Sequence, residues 1–302
     1  MEHIVRRIIM KKKIMAVLVA AGMVVSLAAC GGSSQTATGT AESAAETVES
    51  AAETAESTAA EATESVAEAA ASEDAELVTV TEGKLTMSTN AAFPPYEMTT
   101  DSGDLEGIDI EVAGAIAKKL GLELQVDDMD FDAALLAAQQ GKSDIVMAGV
   151  SVTEERQKVM EFSDSYATGV QVIIVKEDSE IASVEDLEGK MIGTQRGTTG
   201  NIYCTDDYGE DHITTYDNGL TAVQALMNGQ VDCVVIDQEP AKAFVAANQG
   251  LKILETEYVS EDYAIGMAKG NTALQSAVNK ALAELQEDGT VQSIVDKYIA
   301  AK

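Results

Sequence analysis

The chain has 302 residues, with 51 acidic against 20 basic side chains and a net charge of −31 at pH 7. Clustered Lys and Arg side chains hold a phosphate backbone, so this acidity argues against nucleic acid as a partner. The sequence holds only two His, and His212 lies in a polar loop beside an aspartate, where a solvated side chain is expected rather than a zinc ligand or a triad member.

The first element is an apolar run from Ile14 to Leu27, which follows three lysines at 11–13 and ends at two alanines and Cys30. A basic start, an apolar stretch and small residues before a cysteine are typical of a bacterial lipoprotein signal. A retained transmembrane helix is the alternative, but it needs roughly 20 apolar residues. We therefore predict a signal peptide over residues 1–29 and lipidation of Cys30, which anchors the chain to the outer face of the cell membrane.

The next segment, residues 30–76, is nearly all Ala, Ser, Thr, Glu and Gly and has no aromatic or basic residue. A rough seven-residue repeat over 42–55 has Ala or Thr where a coiled coil needs large apolar side chains. We predict an acidic, disordered tether with a coil reach of roughly 40 Å. Cleavage removes five basic residues and one acidic residue, leaving 15 against 50 and a net charge of −35. Lipid rather than charge must then hold the chain at the membrane.

From Leu77 to Lys302, short apolar runs alternate with helical patterns. The first predicted elements are a strand over 84–89, a helix over 110–120, a strand over 123–126 and a helix over about 133–140. This alternation favours an α/β fold with largely parallel sheets covered by helices.

One pattern occurs twice, 88 residues apart: a helix that ends at a glycine, a polar turn and a buried strand. The glycines are Gly141 and Gly229, and the predicted strands cover 145–148 and 233–236. The repeat indicates two similar lobes. Because ligands in open α/β sheets bind beyond the carboxyl ends of strands, the residues that follow these two strands are the candidate site.

After the first of these strands, Thr153 is the predicted N-cap of a helix with Arg156 in its first turn. A cation there opposes the helix dipole by about 0.3–1 kcal/mol, so a negative group should compensate. Two alternatives fit. Either Glu154 or Glu155 pairs with Arg156 on the surface, or the guanidinium binds a ligand carboxylate.

Asp237 follows the second strand, where it can receive an ammonium group or act as an ordinary N-cap. A Gly/Thr loop at 196–200 leads from a strand into a helix whose free N–H groups can bind an anion, although it lacks the P-loop pattern. Phe93 and Phe131 stand in turn or polar contexts and can form the walls of a cleft. Together these groups complement a zwitterionic amino acid.

Cys204 and Cys233 lie outside the cytosol if the signal is cleaved, so a disulfide is chemically allowed. Cys233 falls in an apolar run, which equally fits two small buried side chains. The sequence leaves both alternatives open.

The stretch 107–112, followed by Ile116, Ala117 and Leu120, matches a family signature throughout, and similar stretches stand at 90–97, 162–166, 197–200 and 237–240. Residues 77–302 thereby resemble the family 3 extracellular solute-binding proteins of polar amino acid ABC transporters. The resemblance implies a two-lobed type II periplasmic-binding-protein fold. Lobe 1 would cover about 77–167 and 264–302 and lobe 2 about 168–263, joined by a two-strand hinge.

The resemblance also implies a function: an L-amino acid with a polar or charged side chain is captured between the lobes and delivered to a permease and its ATPase. It implies a monomer without catalysis, cofactor or metal. Arg156 would hold the α-carboxylate, with help from Ser151, the backbone of Gly149 and Thr199. Asp237 would take the α-ammonium group.

By the same resemblance, Phe93 and Phe131 would enclose the ligand's side chain. Asn90 and Gln195 would stand where relatives vary with specificity. Some binders of basic amino acids have an acidic residue in place of Asn90, which argues against a lysine-only preference. Two other functions occur on this scaffold: cyclohexadienyl dehydratases, which need a carboxyl group poised as an acid that the sequence does not identify, and receptor sensor domains.

Overall fold

The computed structural model describes residues 77–255 and 257–299. The predicted signal peptide, Cys30 and the tether lie outside the described residues. None of the described helices combines the length and the apolar character that crossing a membrane requires.

The strands of the described part are β1 (Lys84–Thr89), β2 (Ala92–Phe93), β3 (Glu97–Thr99), β4 (Leu105–Glu106), β5 (Glu123–Asp128), β6 (Ile145–Val146), β7 (Met160–Lys176), β8 (Ile192–Gln195), β9 (Ile213–Tyr216), β10 (Cys233–Asp237), β11 (Leu251–Ile253) and β12 (Val259–Ala268). The α-helices are α1 (Ile108–Lys119), α2 (Phe131–Gln139), α3 (Glu154–Gln157), α4 (Thr199–Tyr208), α5 (Gly219–Met227), α6 (Gln238–Ala247), α7 (Thr272–Glu287) and α8 (Thr290–Tyr298). Two short 3₁₀ helices cover Val184–Leu187 and Glu210–His212.

The main sheet has the order β5-β1-β6-β12-β7-β10-β8-β9, with β11 paired to β7. The strands β5, β1 and β6 are parallel at one end, and β10, β8 and β9 are parallel at the other. The centre is antiparallel, because β7 and β12 run alongside each other in opposite directions and join the two ends. The prediction of parallel sheets is correct at both ends and wrong at the centre. The short β2-β3-β4 sheet was not predicted.

Helix α1 shows why these segments fold as they do. Ile108, Val112 and Ile116 recur every four residues and are fully buried against the sheet. The helix ends before Gly121, whose φ of +72° is the left-handed conformation that glycine adopts readily. It covers 108–119 rather than the predicted 110–120.

The repeated pattern is present in both places. Gly141 and Gly229 have φ of +64° and +72°, and the amide that follows each glycine bonds back into the helix, over 2.8 Å from Lys142 and 2.9 Å from Gln230. The strand after Gly141 ends at Val146, two residues earlier than predicted, while the strand after Gly229 runs one residue further, to Asp237.

Cys204 and Cys233 are free thiols in one buried cluster of the second half of the sheet. Burial raises the pKa of both thiols, that of Cys233 to about 12. Of the two alternatives, the structure therefore has the buried thiols.

Candidate functional site

A cavity lies where the carboxyl ends of the parallel strands from both ends of the sheet meet. All nine ligand-binding residues that we predicted line it. The lining residues are Asn90, Phe93, Glu97, Phe131, Ala148, Gly149, Ser151, Arg156, Gln195, Thr198, Thr199 and Asp237.

Arg156 is buried in the wall of this cavity, with 8% of its surface exposed. Its Nη1 donates to the Ser151 carbonyl over 2.8 Å and its Nη2 to the Gly197 carbonyl over 3.1 Å. The guanidinium carbon lies 5.5 Å from the ring centre of Phe131, close enough for a cation–π contact. Further N–H donors of the guanidinium have no partner in the described part of the chain.

The surface-pair alternative for Arg156 is wrong. Glu154 and Glu155 are exposed, Glu155 pairs with Lys158, and no ion pair of the described residues includes Arg156. Thr153 does cap the helix by accepting from the Arg156 amide, but α3 is a single turn, so its dipole opposes the cation little. Burial is the larger cost, and it lowers the pKa of Arg156.

Asp237 ends β10 and lies buried at the cavity. One carboxylate oxygen accepts from Gln171 Nε2 over 2.7 Å, and the other accepts from the Tyr263 hydroxyl. No side-chain capping bond is formed, so the N-cap alternative does not account for this carboxylate. Burial raises the pKa of Asp237 to about 7, although the bonds from Tyr263 and Gln171 lower it.

The hydroxyls of Ser151 and Thr199 meet at a carboxylate that the sequence did not point to. Glu261 on β12 accepts from Thr199 Oγ1 over 2.6 Å and from Ser151 Oγ over 3.2 Å. Its other oxygen accepts from the Tyr203 hydroxyl over 2.8 Å. The sequence pattern that could have indicated Glu261 is the alternation of side chains along a strand. Glu261 and Tyr263 are two residues apart on β12 and therefore face the same side.

The backbone of Gly149 does not offer the free N–H group that the resemblance implies. Its amide donates to Asp109 Oδ2 over 2.9 Å, so this N–H group is not free for a ligand carboxylate. Its φ is +56°, and a Cβ there would lie 2.7 Å from the Phe93 ring. The position therefore needs glycine for both its conformation and its contact with Phe93.

The predicted aromatic walls are present. Phe93 and Phe131 are 6% and 5% exposed and both line the cavity. Phe93 stacks on Tyr96 with ring centres 5.9 Å apart, while Phe131 begins α2 and has Arg156 on its face.

Asn90 and Gln195 join the two ends of the sheet. Gln195 Nε2, at the end of β8, donates to Asn90 Oδ1 over 3.0 Å, and Asn90 Nδ2 donates to the Met129 carbonyl over 2.9 Å. The buried Oε1 of Gln195 has no hydrogen-bond partner within the described residues.

Glu97 and Asp109 form a buried carboxyl pair that sequence reasoning also missed. Both are fully buried, and neither oxygen of Glu97 nor Oδ1 of Asp109 meets a donor group in the described chain. The two carboxyl groups are within hydrogen-bond reach of each other, and such a bond requires one shared proton, because two ionised carboxylates cannot bond each other. Burial raises the pKa of Glu97 well above its usual range, and raises that of Asp109 to about 6.

The direction of the shared proton follows from the partners of Asp109. Its Oδ2 accepts from the Gly149 amide and, over 2.8 Å, from the Tyr166 hydroxyl, which both favour the ionised form. Glu97 has no such donors and is therefore the protonated member. Both residues lie in stretches that carry the family resemblance, yet no local pattern marks them as a pair.

Most of the described part matches one family of known proteins. The model of the bacterial extracellular solute-binding proteins, family 3, matches residues 85–301. The chain belongs to this family. The description of the family makes it an extracytoplasmic protein that binds a solute.

Named relatives of this solute-binding protein agree with the family match. The L-cystine-binding protein TcyJ of Escherichia coli strain K12 is 30% identical over 222 residues, which are 72% of this chain and 84% of that protein. The arginine-binding extracellular protein ArtP of Bacillus subtilis strain 168 is 32% identical over 224 residues, 72% of this chain and 87% of that protein.

Solved structures agree as well. An ancestral arginine-binding protein bound to glutamine is 41% identical, with a TM-score of 0.70, and the match covers 73% of this chain and all of that one. The arginine-, lysine-, histidine-binding protein ArtJ of Geobacillus stearothermophilus has a TM-score of 0.69 at 30% identity, over 72% of this chain and 96% of that one. The predicted α/β binding-protein fold is thus confirmed.

Proposed function

We propose that this protein captures an L-amino acid with a polar or positively charged side chain and delivers it to the permease and ATPase of an ABC importer. The observation that carries the proposal is the charge of the cavity wall. Arg156 is the one buried basic side chain of the described residues, and it shares the cavity with the carboxyl groups of Asp237 and Glu97. A zwitterion supplies the opposite charges to Arg156 and Asp237.

The α-carboxylate of the ligand is assigned to the free N–H groups of Arg156, because a guanidinium binds carboxylates through paired, charge-assisted hydrogen bonds. The α-ammonium group is assigned to Asp237, whose carboxylate already accepts two bonds and keeps further lone pairs for a cation. Ser151 and Thr199 add hydroxyl donors on the carboxylate side.

The ligand's side chain is assigned to the pocket between Phe93 and Phe131, with Asn90, Gln195 and Glu97 as its polar partners. The α-carboxylate and α-ammonium groups of the ligand pair with Arg156 and Asp237, which leaves the Glu97 carboxyl for the ligand's side chain. A positively charged side chain would ionise Glu97 and pair with it, whereas an amide side chain would bond to its protonated form. Several named relatives are arginine-binding proteins, which makes arginine the first ligand to test.

Titration calorimetry tests the proposal and separates the two side-chain classes. L-Arginine and L-glutamine are titrated at pH 7 in two buffers that differ in their heat of ionisation. Both ligands should release the fraction of a proton that Asp237 holds at pH 7, and arginine should release up to about one proton more as Glu97 ionises. A thermal-shift screen against the twenty amino acids plus ornithine, citrulline and cystine widens the search. No stabilisation by any of these compounds would refute the proposal.

Catalysis is not part of the proposal, but one observation favours testing it. Burial raises the pKa of the Glu97 carboxyl group on the cavity wall well above its usual range, and a cyclohexadienyl dehydratase requires an acid of this kind. The second candidate is therefore an enzyme on the same scaffold. Incubation with amino acids and with a cyclohexadienyl substrate, followed by mass spectrometry, distinguishes the two: a binding protein returns every compound chemically unchanged.

Membrane attachment and closure are further parts of the proposal. Lipid on Cys30 would hold the domain at the outer face of the membrane, and a Cys30→Ser variant should be released into the medium. The strands β7 and β12 would serve as the hinge between two lobes that close on the ligand. Small-angle scattering should then show a smaller radius of gyration with ligand than without it.

A further inference from the structure

The Glu261 carboxylate is held by hydroxyl groups from two separate parts of the chain. Ser151 follows β6, whereas Thr199 and Tyr203 lie on α4. Their hydroxyls donate to Glu261 over 3.2, 2.6 and 2.8 Å. A backbone β-bridge between Ser151 and Tyr263, two residues beyond Glu261, holds Ser151 close to this carboxylate.

No cation neutralises this carboxylate directly. Among the ion pairs of the described residues, none includes Glu261. Glu261 is the negative group that contributes most to keeping the Arg156 guanidinium protonated. The described hydrogen bonds of that guanidinium nevertheless go to the carbonyls of Ser151 and Gly197. The protein thus holds a carboxylate of its own beside Arg156, on hydroxyl donors.

A hydroxyl group has one proton to donate. While Ser151 and Thr199 donate to Glu261, neither can donate to a second carboxylate. These are the two hydroxyls assigned above to the ligand's α-carboxylate. Binding must therefore break their bonds to Glu261 and bring a second negative charge close to it.

We propose that Glu261 is an internal competitor for the ligand's α-carboxylate and sets the affinity of the site, an inference that rests on the proposed function. Removing its charge while keeping its shape should tighten amino acid binding. If Glu261 served only to hold α4 against β12, removing its charge would loosen the site and weaken amino acid binding.

The test compares Glu261→Gln with Asp262→Asn, which removes the same charge from the next residue, an exposed side chain. Each protein is titrated with L-arginine and L-glutamine, and with their decarboxylated counterparts agmatine and 4-aminobutanamide. E261Q should bind the amino acid that the wild type binds about tenfold more tightly. It should bind the decarboxylated counterpart no more tightly than the wild type does, and D262N should stay within about twofold for both.

Equal or weaker amino acid binding by E261Q, with D262N unchanged, overturns the inference and leaves the proposed function standing. If no amino acid binds to the wild type or to E261Q, both fall. Tyr203→Phe covers the case in which E261Q does not fold. It keeps the carboxylate and removes one of its three donors. Glu261 then depends more on Ser151 and Thr199, so amino acid binding should weaken by about threefold while binding of the decarboxylated counterpart stays the same. Unchanged or tighter amino acid binding by Y203F, or equal losses for the two classes of ligand, would in that case also overturn the inference.

Discussion

The Tyr263 hydroxyl donates to the Asp237 carboxylate, and both side chains are buried where β12 and β10 flank β7. The pair depends on Gly169, which has no side chain. A Cβ on Gly169 would lie 2.4 Å from the Tyr263 ring and 2.5 Å from Asp237 Oδ1. The absence of a side chain at Gly169 thus makes room for Tyr263 to hydrogen-bond and orient Asp237, the carboxylate proposed to bind the ammonium group.

Gly169→Ala should therefore lower the free energy of unfolding by about 2–3 kcal/mol and weaken amino acid binding, since backbone and side chains must both shift. Gly114→Ala is the matched control. It lies inside α1, its Cβ would meet nothing closer than 3.9 Å, and it should be neutral or stabilising by up to about 1 kcal/mol. Urea unfolding measures both variants, and equal effects at the two positions would contradict the explanation.

Arg156→Ala should abolish amino acid binding, with a loss of at least about a hundredfold, because it removes the buried guanidinium assigned to the ligand carboxylate. Arg156→Lys should recover little of this loss, since an ammonium group lacks the planar fork of donors. Circular dichroism checks that both variants keep the fold. Calorimetric affinity within about twofold of the wild type in either variant would show that the assignment is wrong.

Amino acid affinity should fall as the pH drops below about 7. Burial raises the pKa of Asp237 to about 7, so the group is ionised at pH 8 and protonated at pH 6 in the free protein. The ligand's ammonium group needs the ionised form, so binding below pH 7 must first release this proton and weakens by up to about tenfold per pH unit.

Asp237→Asn should lower the affinity for amino acids and remove this pH dependence for glutamine, whose side chain leaves Glu97 protonated. The same variant should bind the corresponding des-amino acids almost as well as the wild type does, because these have no ammonium group. Equal losses for the two classes of ligand would show that Asp237 does not receive the ammonium.

The Glu97–Asp109 pair should make the protein more stable in mild acid than it is with Glu97→Gln. Both carboxyl groups have a raised pKa in the folded state, so their stabilising contribution is present at low pH and is lost as the pH rises. For Asp109 the loss falls between about pH 4 and pH 6, and for Glu97 it continues above that range.

Thermal unfolding from pH 4.5 to 8 tests this expectation. E97Q should lose part of the decline in Tm that the wild type shows with rising pH, and Glu82→Gln, an exposed acidic residue outside the core, should keep the wild-type curve. Parallel curves for E97Q and the wild type would mean that the pair does not share a proton.

Much of the site could be predicted from sequence because its residues stand at ends of strands or starts of helices, where short patterns carry information. Asp237 after an apolar strand and Thr199 at a helix start are such positions, and the structure brings both to the cavity. Family resemblance supplied the assignment of roles, which remains a prediction.

Residues that depend on distant pairing could not be predicted in this way. Glu261 meets Ser151 across 110 positions of the chain, and no local pattern indicates that contact. The antiparallel centre of the sheet was missed for the same reason, since the partner of β7 is β12, which follows it by more than eighty residues.

Strand β6 has β12 as its neighbour on one side, through residues 266 and 267, which follow it by about 120 positions. During synthesis, the amino-terminal third of the domain therefore lacks its central strand until nearly the whole polypeptide has left the ribosome. The chain therefore cannot complete this part of its core until β12 has been made.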